Sequence, residues 1–298
     1  MAIALAVGLF APALAGAAMA PGANESMLGS AAGLRARYEA NRAGLEQSAF
    51  GQPIRLESVQ TADRLKGDIY AVVDQPFDTV REGLRDVHHW CDILILHPNV
   101  TNCNAREGTA SASSTVRIEL GRNGTPVTFN YRVPAADAGY LHLALAAPDG
   151  PLGTTDYRVD LEASPLDARR SILHVVFSHR YGFEARLGMR AYLSTMGRGK
   201  VGFTVVDRTA EGQPVYVGDL RGALERNAMR YYVSIDAYLQ ALGAPPGQRL
   251  EKQIRAWYAY TERYPLQLRE SLEYIDTKRS LARALRAPIN SLAERAGN

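Results

Sequence analysis

Cysteine is nearly absent. Two residues, Cys91 and Cys103, are all that 298 positions carry, so no CxxC pair is available for metal binding or thiol exchange. An HExxH helix is missing as well, and so are paired catalytic carboxylates, a GxSxG elbow and a glycine-rich phosphate loop. GRGK at Gly197–Lys200 lacks the P-loop spacing, which leaves nucleotide binding unsupported. No sign of charge dominates. The net charge is +3, with 46% hydrophobic and 22% charged residues, the balance of an ordinary globular chain with no nucleic-acid footprint. No internal repeat is present, and low complexity is confined to the first twenty residues. No cofactor or metal is indicated.

Those first twenty residues, MAIALAVGLFAPALAGAAMA, are uncharged and close on Ala18-Met19-Ala20, the small-x-small pattern cut by signal peptidase. They read as a signal peptide over 1–20, which puts the protein in the periplasm or outside the cell. The usual basic residue near the start is missing. Alanine, glycine and proline dominate the segment, so it makes a poor membrane span. In an oxidising compartment the two cysteines, twelve positions apart, are a natural disulfide. Closing so short a loop contributes roughly 3 kcal/mol. His88, His89 and His97 lie close by and keep a metal alternative open.

Met27, Ala31, Leu34, Tyr38 and Leu45 recur at helical spacing, predicting an amphipathic helix over 25–47 that packs on the main domain. Ile54, Leu56 and Ser58 then alternate as a short strand. From Asp63 a strand pattern, RLKGDIYAVV, turns through Asp74-Gln75-Pro76 into two short helical patterns, FDTVREGLR and DVHHWCDILIL. Antiparallel meanders follow. Asn123-Gly124, Asp137-Ala138-Gly139, Pro148-Asp149-Gly150 and Pro165-Leu166-Asp167 punctuate them. Alternation assigns Val116, Ile118, Leu120, Val127, Phe129, Tyr131, Val133, Tyr157, Val159 and Leu161 to one apolar face, with polar neighbours on a wet one. Leu141, Leu143, Leu145, Leu173, Val175 and Phe177 extend that face, as would Val201, Phe203 and Val205 on a later strand.

A sheet with one apolar face needs a cover. LRGALERNAMRYYVSIDAYLQAL supplies it, with Leu220, Leu224, Ala228, Tyr231, Ile235 and Leu242 in a helical stripe and Gly243, Pro245 and Pro246 as the stop. Residues 184–199, with Met189, Tyr192, Leu193 and Met196 among glycines, read as a lid or portal. Beyond Pro246 the spacing predicts two more helices, with Pro265 in the first turn of the second. Ten Lys and Arg against six Asp and Glu from Pro245 onward make this tail basic. Together with Trp257, Tyr258, Tyr260 and Tyr264 it offers either transient membrane contact or packing against the main domain.

GDIYAVVDQPFDTVREGLRDVHHWCDILI and the long helix pattern resemble the first strand, paired helices and terminal helix of the START-like, or SRPBCC, superfamily, across roughly residues 61–243. The resemblance implies an α+β helix-grip fold, with a curved antiparallel sheet wrapped around the long helix and a cavity between them. Residues 21–60 and 244–298 would be helical extensions outside the usual domain. It further implies a hydrophobic ligand such as a lipid, sterol or polyketide-like molecule, and the leading expectation is that the protein binds or transfers it without catalysis. Phe129, Tyr131, Leu143, Phe177, Phe203, Tyr231 and Ile235 are the expected walls. The alternatives are a cyclase or isomerase, for which His179 is the candidate because strand parity turns it inward, and an envelope interaction module without cargo. His142 and His174 fall on the outer face.

Overall fold

The computed structural model describes residues 29–109, 113–121, 123–194, 199–270 and 272–286. The signal segment 1–20 and Met196 and Gly197 of the expected lid lie outside them. Eight strands form the main sheet: β1 (Ile54–Gln60), β2 (Arg64–Val73), β3 (Val100–Arg106), β4 (Thr115–Leu120), β5 (Thr125–Ala136), β6 (Leu141–Asp149), β7 (Thr154–Pro165) and β8 (Ser171–Tyr181). Their order is β1-β2-β8-β7-β6-β5-β4-β3, every pair antiparallel. From β2 the chain reaches the far edge strand β3 through α2 (Phe77–Arg85) and α3 (His89–Leu94). β2 stops at Val73, and Pro76 is the N-cap residue of α2, where its missing N–H costs nothing.

The predicted turns join neighbouring strands. Asp137 shows how: its carboxylate accepts from the N–H groups of Gly139 and Tyr140, fixing the β5–β6 hairpin. The inward set from Val116 to Phe177 is buried almost throughout, while Arg117, Thr128, Asn130 and Arg132 are exposed. Val133 departs from the expectation and is 39% exposed. A register shift between Arg132 and Ala135 breaks the alternation there.

Over the apolar face lies α5 (Asp219–Leu242), twenty-four residues long. It is buried on nearly every side, because α6 (Pro246–Arg263) packs on the face turned away from the sheet. Of the tail aromatics, Trp257, Tyr260 and Tyr264 are buried and Tyr258 is half-buried. The predicted second tail helix is split. Pro265 opens the short α7 (Pro265–Leu268), and after a break the chain resumes as α8 (Leu272–Arg286), with Tyr274 stacked on Trp257 at 4.8 Å. None of the described helices is long and apolar enough to cross a membrane.

Two expectations are corrected. Residues 201–205 do not join the main sheet. Instead β9 (Val205–Arg208) pairs with β10 (Pro214–Tyr216) in a separate two-stranded sheet, and Val205 is 44% exposed. The cause is Glu225 of α5, a fully buried carboxylate that accepts from the backbone N–H of Phe203 at 2.7 Å and of Thr204 at 2.9 Å. Those donors are therefore lost to any ladder. A side chain at Gly202 would meet the same carboxylate at 2.6 Å.

The outer face, in turn, is only partly wet. α1 (Ala31–Glu46), capped by Ser30, lies across β7, β8 and β2, with Leu34 packed against Tyr140 and Ile172. Beneath it Arg37, Glu162, His174 and Asp68 form a buried ionic network, with Tyr140 donating to Glu162.

Candidate functional site

Between the concave face of the sheet and α5 lies a cavity of about 300 Å3. Tyr157 of β7 and Phe177 and His179 of β8 form the sheet side; Ala223, Arg226, Asn227, Arg230 and Tyr231 form the helix side. His97, Asn99, Leu120, the Pro151–Leu152 turn, Met189 of α4 (Phe183–Ser194) and Lys200 complete the lining. Rings make a continuous wall. His97 meets Tyr231 at 4.9 Å, Tyr231 meets Phe177 at 5.1 Å, Phe177 meets His179 at 5.7 Å, and His179 stacks on Tyr157 at 4.9 Å.

Local chain geometry puts Tyr157 in this wall. A register shift between Thr155 and Arg158, with Asp156 at φ 50°, lies beside it, and its hydroxyl sits 2.7 Å from Thr154 Oγ1. Gly150 makes room, since a Cβ there would stand 2.1 Å from the Tyr157 ring.

His179 is buried, and neither of its ring nitrogens has a hydrogen-bond partner. Burial pushes its pKa down to about 4, so the ring is neutral near pH 7. His97 is equally buried. Its Nδ1 lies 3.3 Å from the Asn99 backbone N–H and its Nε2 has no partner. Burial first, then the charges of Arg230 and Lys278, holds it well below the ordinary histidine range. Arg230 pairs with Glu270 at 3.0 Å, Arg226 donates to the Val201 carbonyl at 3.3 Å, and Lys278 donates to the His97 carbonyl at 2.8 Å. Burial lowers the Lys278 ammonium to about 8.

The cysteines bear on this site directly. Cys91 of α3 and Cys103 of β3 form a disulfide with Cα atoms 5.4 Å apart, and His97 and Asn99 lie within the loop it closes.

A curled antiparallel sheet gripping one long helix, with two short helices between its second and third strands, is the helix-grip arrangement. That architecture is the one the sequence pattern leads us to expect. No family model matches the sequence, and no curated protein matches it. Among solved structures the chain is similar to the human StAR-related lipid transfer protein 5, at 10% identity over 72% of this chain and 100% of that one, with a TM-score of 0.36. It is also similar to the Zhui aromatase/cyclase of a Streptomyces species, at 17% identity over 62% of this chain and 98% of that one, with a TM-score of 0.35. A third is the norcoclaurine synthase of Thalictrum flavum, at 11% identity over 47% and 89%, with a TM-score of 0.34.

Of the residues expected to wall a START-like cavity, Phe177 and Tyr231 line this one, and so does the inward His179. Phe129, Tyr131, Leu143 and Ile235 are buried in the surrounding core. Tyr131 has a specific task there: its hydroxyl donates to the Arg85 carbonyl at 2.8 Å and ties α2 to the sheet. Phe203 sits elsewhere, against Phe50 at 5.5 Å and Tyr264 at 5.7 Å.

Sequence reasoning put Tyr157 only on the apolar face and His97 only in a metal alternative, and it did not single out Arg226 or Arg230. A signal existed for the last two. Ala223, Arg226, Asn227, Arg230 and Tyr231 recur at three- and four-residue spacing, a polar interruption on one face of a mostly apolar helix.

Proposed function

We propose that the protein binds a hydrophobic small molecule in the cavity between sheet and α5 and carries it without altering it. The observation that carries this reading is the aromatic wall running from His97 to Tyr157, set against an apolar sheet face and closed over by a helix. Burying roughly 400 Å2 of apolar ligand surface at about 25 cal/mol per Å2 would contribute on the order of 10 kcal/mol before association entropy is subtracted. In this reading residues 61–243 are the binding unit, and the helices before and after them brace it. The Cys91–Cys103 disulfide supports an address outside the cytoplasm, in keeping with a cleaved signal peptide.

Native mass spectrometry of the purified chain, followed by solvent extraction, tests the proposal. A bound apolar molecule released on extraction is expected. A bare protein that takes up no apolar probe contradicts it.

The cyclase or isomerase alternative is less well supported. A general base is ordinarily oriented by a second group, and His179 has a partner on neither nitrogen and a pKa of about 4. Replacing His179 should leave ligand uptake measurable, whereas an enzyme using it would lose turnover.

A further inference from the structure

Two histidines of the aromatic wall, His97 and His179, are buried with ring nitrogens that have no hydrogen-bond partner, and both rings line the cavity. They stand apart along it. Tyr231 and Phe177 separate them in the run of ring contacts, which continues past His179 to Tyr157.

The two rings offer different chemistry. Nδ1 of His97 accepts from the Asn99 backbone N–H, so the neutral ring carries its proton on Nε2 and can only donate there. Neither nitrogen of His179 is engaged, which leaves that ring free to take either tautomer and so to donate or to accept. Its ring neighbours are Tyr157 and Phe177, and burial alone displaces its pKa, so an ionised ligand group would find no counter-charge there. Native folds rarely leave buried donors and acceptors unmet, and a ligand pocket sets the orientation of its occupant through a few such groups among apolar ones.

We infer that the two histidines read oxygen atoms on the cargo: His97 donates to one, and His179 bonds an uncharged hydroxyl or carbonyl at the other end. The cargo is then a flat, ring-bearing molecule with an oxygen function at each end and its body along Tyr231 and Phe177. The inference rests on the cavity-binding reading and sharpens it. Aromatic walls favour a planar body, and a cavity of about 300 Å3 keeps it compact. A plain hydrocarbon would fill the same space and leave both histidines unmet.

Binding of biphenyl, para-hydroxybiphenyl and para,para′-dihydroxybiphenyl to the full chain, followed by displacement of a fluorescent apolar probe, tests this. The bisphenol should bind about tenfold tighter than biphenyl, with the monophenol between them. In H179L, shown by its melting curve to be folded, that ratio should fall about threefold, while H179N, whose amide also donates and accepts, should keep part of it. Equal affinity for the three probes, tightest binding of biphenyl, or a ratio unchanged in folded H179L overturns the inference and leaves the cavity reading standing. Failure of all three to bind overturns both.

Discussion

His179 lies flat against Tyr157, ring centroids 4.9 Å apart and planes 10° from parallel, with neither imidazole nitrogen hydrogen-bonded. Stacking on Tyr157 offsets only part of the cost of burying two ring nitrogens without partners. Replacing His179 by Leu should therefore stabilise the empty protein by about 1 kcal/mol at pH 7. The pH dependence gives the sharper readout. The unfolded chain takes up this proton near pH 6.5 and the folded chain near 4, so between those values the unfolded state binds more protons and stability falls with acidification. The wild type should lose on the order of 3 kcal/mol across that window relative to H179L, as read from urea unfolding curves.

On the other side of the sheet, His174 joins Glu162 at 2.9 Å to Asp68 at 3.1 Å beneath α1. Burial opposes ionisation of Glu162, but hydrogen bonds from His174 and Tyr140 and the charge of Arg37 outweigh it and hold the carboxyl at about 2. Burial likewise opposes the His174 cation, and Asp68 and Glu162 outweigh it and raise that pKa. The signs follow. Glu162 contributes stability above its unfolded value of 4.5 that is lost as pH falls toward 2; His174 contributes stability below 6.5 that is lost as pH rises through its raised value. H174F, which takes a charged partner from Glu162 and Asp68 and leaves them Arg37, Tyr140 and Lys66, should cost about 3 kcal/mol at pH 5.5 and less at pH 9. A difference that does not shrink with rising pH would argue that His174 is neutral in the fold.

Reduction of Cys91–Cys103 should lower stability by roughly 3 kcal/mol, since the bond closes a short loop in the unfolded chain. Melting with and without reductant measures it. Because His97 lies inside that loop, reduction should also weaken ligand binding, and a C91A/C103A variant should reproduce both effects.

Glu225 fastens the strap before β9 to α5, accepting from Thr204 Oγ1 at 2.7 Å as well as from two backbone donors. E225A should leave those donors unmet and cost about 2–3 kcal/mol. Hydrogen exchange at Phe203 and Thr204 should accelerate more than exchange in β7 and β8. Uniform acceleration across the sheet would show that Glu225 supports the whole fold and not this strap alone.

The main sheet and its covering helix were legible because their signals are local: two-residue alternation along each strand, turn dipeptides between strands, and a long stripe ending at Gly243. What escaped depends on distant partners. Val201, Phe203 and Val205 alternate like a strand, yet Glu225, some twenty residues later, takes the N–H groups that a ladder would need. Asp68, Glu162 and His174 alternate with apolar residues like a wet face, yet α1 covers them from more than twenty residues before the nearest of them. Val133 loses its place to a register shift at Pro134, which cannot donate to the ladder and whose signal in the strand went unread. At the cavity, Phe177, His179 and Tyr231 followed from strand parity and the helical stripe. His97 did not, because it lies in an irregular loop whose position depends on distant partners, the disulfide, Lys278 and Tyr274 among them.

The most direct test fills the cavity. Ala223 lines it from α5, and an A223W variant should occupy the space between the helix and the aromatic wall. Native mass spectrometry should find an apolar molecule on the wild type and none on the folded A223W protein. A bare wild type unable to take up an apolar probe, or equal loading of both proteins, would contradict the account.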